Sequence, residues 1–174
     1  SSRSSSMNSQ SNLEIAIFKD IPKEDTLEIL YSLNQANTPE VGSLCSIDEL
    51  KNLIELSALN FFVLDDEKIV GFIICFREGS TYHSLNYKFF SDSDDKFLYI
   101  DRVVIKKEYR RMGAGTLLYN HLSKVANLEN LPICCEVNTK PINQISLNFH
   151  SKNKYIEVGE RHFDDHSVVY LKKK

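Results

Sequence analysis

The sequence lacks a long apolar run, an apolar signal-peptide region and a strongly basic charge. No stretch approaches the ~18 consecutive apolar residues of a membrane-spanning helix, and no apolar h-region predicts a secretory signal peptide. The chain is not strongly basic either, because its net charge is −3, whereas a nucleic-acid-binding domain is expected to carry a basic face. We therefore expect neither a membrane nor a nucleic acid as a partner, although a local basic patch occurs at Lys106, Lys107, Arg110 and Arg111.

The four cysteines form no metal-binding or disulfide pattern. Cys45, Cys75 and the adjacent pair Cys134 and Cys135 show no CxxC spacing. A chain of 174 residues is long enough for one domain with a sizeable core and does not need disulfide staples. We expect reduced, mostly buried thiols and no metal site. Such thiols favour a reducing compartment, so a cytoplasmic location is expected.

The order of predicted elements is that of a mixed α/β or α+β domain. Residues 1–11, which include SSRSSS ahead of Met7, are expected to be a disordered tag and N-terminus, and residues 12–174 one domain. Ser46, followed three residues later by Glu49, predicts a capping box at the start of the second helix. Apolar periodicity predicts strand 13–18, helices 22–37 and 46–59, strands 60–64, 68–76 and 97–105, helix 111–127, strand 133–137, helix 143–153, and strands 155–161 and 167–172.

Residues 77–96 form a long connection without a predicted helix or strand. The segment is polar but contains Tyr82, Tyr87, Phe89 and Phe90. A connection of this length is often functional or disordered, and its aromatic pairs argue against disorder. Two interpretations of these aromatics stay open: they line an acceptor pocket, or they pack in a core or a dimer interface. The acidic run SDSDD (91–95) either attracts a cationic substrate or is a solvated loop.

The strongest chemical signal is YIDRVVIKKEYRRMGAG, residues 99–115. A buried strand leads into a cationic turn that contains Gly113 and Gly115 and precedes a helix. Glycines let a ligand approach the main chain, a helix N-terminus offers unpaired amides and partial positive charge, and arginines suit phosphate oxygens. The stretch predicts an anion site with a diphosphate as its natural ligand; a plain helix start with solvated arginines is the alternative.

The turn does not match two common nucleotide-binding motifs. A P-loop needs GxxxxGK followed by serine or threonine, and the sequence contains nothing like it. A Rossmann fingerprint needs a third glycine at the position of Leu118, and no early βαβ unit surrounds the turn.

In its wider context the turn resembles the acyl-CoA-binding motif of the GNAT superfamily of N-acetyltransferases. That motif is R-x-x-G-x-G, here Arg110, Gly113 and Gly115, after the hydrophobic strand VVI. The segment NQISLNFHSKNKYIEVG (143–159) is similar to the superfamily's later helix–strand motif. The resemblance covers residues 12–172 and is strongest over 97–159, where CEVN and SLNFH resemble an uncharacterised bacterial subgroup of predicted acetyltransferases. It implies a single-domain GNAT-like fold: a central mixed, mostly antiparallel sheet flanked by helices.

The resemblance also implies a binding site for acetyl-CoA as co-substrate, without a metal. The backbone of the strand would pair with the pantetheine amides, the turn amides would surround the pyrophosphate, and the later helix would lie near the cofactor arm. The cofactor-binding residues that it implies are Val103, Val104, Ile105, Arg110, Arg111, Met112, Gly113, Ala114, Gly115, Thr116, Asn143 and Ser146.

Two residues are implied for catalysis. Glu136, in CCEVN, is the expected general base, because several family members have an acid at the matching position; a surface glutamate or a structural ion pair is the alternative. His150 stands where many relatives have the tyrosine that protonates the departing thiolate. A packing residue behind Phe149 and an exposed helical histidine are the alternatives. Lys154 and Tyr155 replace the family's Gly-Phe. For Asp101, an amine-binding role and a structural salt bridge both stay open.

The sequence therefore predicts an acetyl-CoA-dependent N-acetyltransferase. It would transfer the acetyl group directly to the primary amine of a small molecule or peptide. The alternative is a non-catalytic acyl-CoA-binding sensor or partner subunit, favoured by the changes at His150 and Lys154. A homodimer is a further expectation.

Overall fold

The computed structural model describes residues 13–18, 20–38, 44–110, 112–140 and 144–173, so the predicted tag lies outside the described residues. In chain order the helices and strands are β1 (Leu13–Ile17), α1 (Glu24–Ala36), α2 (Ile47–Leu56), β2 (Leu59–Asp65), β3 (Lys68–Arg77), α3 (Leu85–Ser93), β4 (Leu98–Ile105), α4 (Lys107–Arg110), α5 (Ala114–Glu129), β5 (Ile133–Lys140), α6 (Gln144–Lys152), β6 (Ile156–His162) and β7 (Ser167–Lys173).

The seven strands form one mixed sheet in the order β1-β2-β3-β4-β5-β7-β6. Strands β4 and β5 are parallel, whereas β1–β2, β5–β7 and β6–β7 pair in antiparallel fashion. Asp66 and Glu67 join β2 to β3 and have positive φ angles of 50° and 72°, as a tight two-residue hairpin requires. The predicted mixed, mostly antiparallel sheet with flanking helices is confirmed.

The described chain divides into two compact units. The first runs up to Ile74 and includes Arg102–Leu122; the second comprises Cys75–Asp101 and Ser123–Lys174. In the first unit α1 contacts α2, and the core is aliphatic and aromatic, with Leu30, Leu50 and Phe61 fully buried. In the second unit the core is strongly aromatic. Its large buried side chains include Phe76, Tyr87, Phe90, Phe97, Tyr99 and Tyr170.

The structure corrects the interpretation of residues 77–96 as a connection without a helix. Helix α3 lies inside this segment, and the Ser84 hydroxyl caps it by accepting a hydrogen bond from the Tyr87 N–H at 3.4 Å. Tyr87 and Phe90 form its buried face, while Leu85 is 52% exposed. With so few apolar positions and a polar end, the helix gives a weak periodic signal.

The start of α2 was predicted from its capping residues, whereas the start of α5 was not. The Ser46 hydroxyl accepts from the Glu49 N–H at 3.3 Å, as predicted, and the Glu49 carboxylate reaches back to the Cys45 N–H at 3.2 Å. The helix predicted from residue 111 instead begins at Ala114, after the short helix α4.

The cysteines agree with the expectation of mostly buried free thiols. Cys75, Cys134 and Cys135 are buried, Cys45 is exposed, and all four are free. Burial raises the pKa of Cys134 to about 12, so this thiol stays protonated. Within the described ranges, no group of His, Cys, Asp and Glu side chains could hold a metal ion, and no helix is long and apolar enough to span a membrane.

Candidate active site

The glycine-containing turn lies in the first unit, where α5 begins. Gly113 has a φ of +83°, in the left-handed region that favours glycine, and a Cβ placed there would meet no atom of the described residues within 4 Å, its chain neighbours aside. The following amides belong to the first turn of α5, where a helix offers no internal acceptors, and no acidic residue stands in that turn. This geometry fits an anionic group such as a pyrophosphate.

Tight packing between β4 and its neighbours holds the turn in place. Val104 and Ile105 are buried, and a Cβ on Gly115 would lie 3.3 Å from Ile105 Cδ1. On the other side, the Lys106 N–H donates to the Val70 carbonyl at 2.8 Å. The exposed positions of the turn include Met112 and Thr116.

Two arginines connect β4 and the turn to buried asparagines of the α1 region. Arg110 Nη2 donates to Asn37 Oδ1, and Arg102 Nη1 donates to Asn34 Oδ1 at 2.7 Å. Asn34 and Asn37 are both buried. A guanidinium carries five N–H donors, so a bond to Asn37 is compatible with the phosphate contact predicted for Arg110.

Three of the predicted cofactor contacts cannot be placed. Arg111 and Asn143 lie outside the described residues, and so does the side chain of Ser146, although that residue belongs to α6. Their roles stay predictions from the resemblance.

Glu136 lies on β5 in the second unit and is half-buried. Its carboxylate accepts hydrogen bonds from the Tyr99 hydroxyl, 2.8 Å from both oxygens, and from Asn86 Nδ2, 3.3 Å from Oε1. Tyr99 comes from β4 and Asn86 from α3. The two donors hold the carboxylate in a defined orientation, with one donor from each of two elements.

Tyr99 is a fixed hydrogen-bond donor to Glu136. The side chain is fully buried, and burial, with the charges of Glu136 and Asp101 nearby, raises the pKa of Tyr99 well above its ordinary value. The hydroxyl therefore keeps its proton at neutral pH. Tyr99 was not among the residues predicted from the sequence, because its contact with Glu136 depends on the parallel pairing of Tyr99 with Cys134, two residues before Glu136.

Asn86 connects Glu136 to a longer chain of hydrogen bonds. Its Oδ1 accepts from the Tyr170 hydroxyl at 2.7 Å, and that hydroxyl accepts from Arg161 Nε at 3.0 Å. This series of hydrogen bonds joins β6, β7, α3 and β5. It was not predicted from the sequence either, because Asn86 lies in the segment where no helix was predicted.

The aromatic side chains of residues 77–96 are used mainly for packing. Tyr87 and Phe90 are buried and contact the Tyr99 ring, with centroids 5.6 and 5.7 Å away. Tyr82 stacks on Phe76 and donates its hydroxyl proton to Asp101 Oδ1 at 2.5 Å. For Tyr87 and Phe90 the packing interpretation therefore holds, and Asp101 has a tyrosine partner.

His150 is buried at 4% exposure on α6. Its ring packs edge-to-face against Tyr155, with centroids 4.9 Å apart, and against Phe149 at 5.5 Å. These contacts describe a packed side chain, and proton donation by His150 stays a prediction.

The sequence matches the acetyltransferase (GNAT) family over residues 27–155, and the chain belongs to that family. This confirms the resemblance found in the R-x-x-G-x-G turn. A comparison with curated proteins gives no significant match.

Solved acetyltransferase structures share the fold at low sequence identity. Ard1 from Thermoplasma volcanium is 16% identical, with a TM-score of 0.69 over 93% of this chain and 97% of that chain. An N-acetyltransferase from Staphylococcus aureus is 9% identical, with a TM-score of 0.69 over 93% and 97%. Naa50 from Arabidopsis thaliana, solved with the bisubstrate analogue CoA-Ac-MVNAL, is 18% identical, with a TM-score of 0.66 over 92% and 98%.

Proposed function

We propose that the protein transfers the acetyl group of acetyl-CoA directly to the primary amine of a small molecule or a peptide. The observation that carries the proposal is Glu136, a half-buried carboxylate held by Tyr99 and Asn86 in a member of an acetyltransferase family. An ammonium must lose a proton before it can act as a nucleophile, so direct transfer needs a base of this kind.

Residues of the first unit would hold the co-substrate. Acetyl-CoA supplies an activated acetyl group when bound. The amides of residues 113–116 would bind its pyrophosphate at the N-terminus of α5, with Arg110 adding donors, and the backbone of residues 103–105 would pair with the pantetheine amides. The open space at Gly113 and the lack of an acidic residue in the first turn of α5 support this assignment.

Glu136 would take the proton from the acceptor ammonium at one of its carboxylate oxygens. Tyr99 stays protonated and, with Asn86, holds the carboxylate in one orientation. His150 is the proposed proton donor to the departing thiolate. A thiol of pKa about 8.5 leaves readily, so the reaction depends on Glu136 more than on His150.

A peptide N-terminus is the acceptor class to test first. Naa50 from Arabidopsis thaliana is solved with an analogue that joins CoA to the peptide MVNAL, and this chain shares its fold. Peptides beginning with Met-Val, followed by a panel of small primary amines, are therefore the first substrates to assay.

Replacing the base tests the proposal. Glu136→Gln should lower kcat by about 100-fold or more, because the amide cannot accept the ammonium proton, while acetyl-CoA binding is retained. Release of the free CoA thiol measures turnover, and calorimetry measures binding. Glu157→Gln, the same change at an exposed position of β6, should leave both unchanged. Wild-type turnover by Glu136→Gln would refute the assignment.

Burial of His150 supports the second candidate function, a non-catalytic acyl-CoA sensor or partner subunit. A packed histidine at the position of the expected proton donor is compatible with a protein that binds the thioester without transfer. Tight acetyl-CoA binding by the wild type, with no thiol release across the whole panel of peptides and amines, would favour this candidate.

A further inference from the structure

Helix α3 is fixed along its whole length to the strands of the second unit. Near its start, Asn86 bonds to Tyr170 and Glu136. In its middle, Phe89 stacks on Tyr170 with centroids 4.2 Å apart. Just after its end, both oxygens of Asp94 accept from Lys172 Nζ, at 2.8 and 2.9 Å. The helix therefore presents Asn86 to Glu136 from a defined position.

A glycine on β6 makes room for this helix. A Cβ on Gly159 would lie 2.7 Å from Cζ of Phe89 and 3.3 Å from Cδ2 of Tyr170. Any larger residue would push on the stacked pair of rings that sits beside Asn86. The sequence is thus adapted to α3 at a position far from it along the chain.

The direction of each hydrogen bond between Arg161 and Glu136 follows from which groups can donate and which can accept. Arginine can only donate, so the Tyr170 hydroxyl accepts from Arg161 and uses its own proton for Asn86 Oδ1. With the oxygen of the amide committed to Tyr170, the Nδ2 group of Asn86 faces Glu136. The orientation of the Asn86 amide is therefore set by two residues of the β6–β7 pair.

We propose that Asn86 is a positioning residue for the general base, and that Tyr170 and Arg161 hold it in the orientation that donates to Glu136. The inference rests on the proposed function, because it concerns the residue assigned there as the base. Asn86 acts through Glu136 by keeping the carboxylate ionised and aligned for the acceptor amine.

Titratable groups from several elements interact electrostatically with Glu136. They are Tyr99 on β4, Cys135 on β5 and Tyr170 on β7. Asp101 acts on Tyr99, and Arg161 on β6 acts on Tyr170. Burial raises the pKa of Tyr99, Cys135 and Tyr170, so all three stay neutral. Arg161 is a cation and lies at the end of the hydrogen-bond series that is farthest from Glu136. An acid at position 86 would thus place a second negative charge beside Glu136.

Two variants of Asn86 test the proposal in the full chain. Asn86→Asp replaces a donor with a like charge, and Asn86→Leu removes the donor at similar size. Both should raise the pKa of Glu136, Asn86→Asp by more than Asn86→Leu, so the acidic limb of the kcat profile moves to higher pH. The matched control Asn52→Asp lies on the exposed face of α2. It should change neither the pKa of Glu136 nor the acidic limb of the kcat profile.

The measurements are a carbon NMR titration of the Glu136 carboxyl, assigned with Glu136→Gln, and the pH dependence of thiol release with a Met-Val peptide. Tyr170→Phe keeps the ring stack but removes the hydroxyl, so it should shift both readouts in the same direction by less. In the Asn86→Leu background, Tyr170→Phe should add no shift, because its effect passes through Asn86.

Unchanged Glu136 titration and pH profile in both Asn86 variants would overturn the inference, even with reduced thermal stability, since a purely structural role predicts that result. If neither variant folds, Asn86→Ser and Tyr170→Phe decide by the same readouts. If Glu136→Gln is inactive but the titration of Glu136 is unshifted in Asn86→Asp, the inference about Asn86 is refuted and the proposed function is not. A fully active Glu136→Gln refutes the assignment of Glu136 as the base, and with it the inference. No thiol release by the wild type, despite acetyl-CoA binding, contradicts the proposed function itself.

Discussion

Lys154 adopts a backbone conformation that lysine seldom uses. Its φ is +71°, and it ends α6 in a Schellman motif: the Tyr155 N–H donates to the His150 carbonyl at 3.0 Å and the Lys154 N–H to the Ser151 carbonyl at 3.1 Å. The side chains of Tyr155 and His150 supply the accompanying contact. Replacing the family's glycine with lysine therefore preserves the turn geometry but adds backbone strain.

Lys154→Gly should raise the free energy of unfolding by about 1 kcal/mol, because glycine takes a left-handed φ without steric cost. At this chain length that corresponds to a Tm increase of roughly 2–4 °C. Asn130 ends α5 in the same way, with a φ of 56°. Since asparagine tolerates this region better, Asn130→Gly should give a smaller gain. Equal gains, or a loss in Lys154→Gly, would contradict the strain argument.

Residues can be singled out from the sequence where a short motif carries the signal. Gly113 and Gly115 were predicted as cofactor contacts because turn, strand and helix are adjacent in the chain. Asn86 and Tyr99 were not predicted, because they lie 50 and 37 residues from Glu136. Their hydrogen bonds depend on strand pairing and on a helix whose sequence pattern is weak.

Among the elements, the close approach of β3 to β4 depends on one small residue. A Cβ on Gly71 would lie 2.8 Å from the Val104 carbonyl oxygen, and a backbone atom cannot move as a side-chain end can. The contact lies directly ahead of the turn that contains Gly113. No motif marks Gly71 in the sequence, since its role appears only once the two strands are adjacent.

Gly71→Ala should lower the free energy of unfolding by about 1–3 kcal/mol through this overpacking. Gly115→Ala provides the comparison, since its Cβ would meet only the flexible end of Ile105 at 3.3 Å and alanine favours a helix. We expect Gly115→Ala to be near neutral in stability. Urea denaturation of both variants measures the difference, and a tolerated Gly71→Ala would show that the strands can separate.

For the whole molecule, fold and family were predictable from the sequence, whereas the hydrogen-bond partners of Glu136 were not. Alternating apolar strands, the capping box at Ser46 and the R-x-x-G-x-G turn occur along the chain in family order, and the family match spans residues 27–155. The donors around Glu136 come from α3 and β4, so they follow from tertiary packing. Sequence patterns indicate local periodicity. The hydrogen bonds to Glu136 join residues that are distant in sequence, so such patterns cannot predict them.

The proposed function requires that the turn at Gly113 binds a coenzyme A thioester. A calorimetric titration of the protein with acetyl-CoA, alongside Gly113→Trp and Gly79→Trp, tests this requirement. Gly113 and Gly79 have φ angles of +83° and +82°, and at both positions an added Cβ would meet no described atom within 4 Å, the chain neighbours aside. The two variants thus carry the same backbone strain, but only the first fills the proposed site. We predict binding by the wild type and Gly79→Trp and its loss in Gly113→Trp. No binding by the wild type, or unchanged binding by Gly113→Trp, would contradict the account.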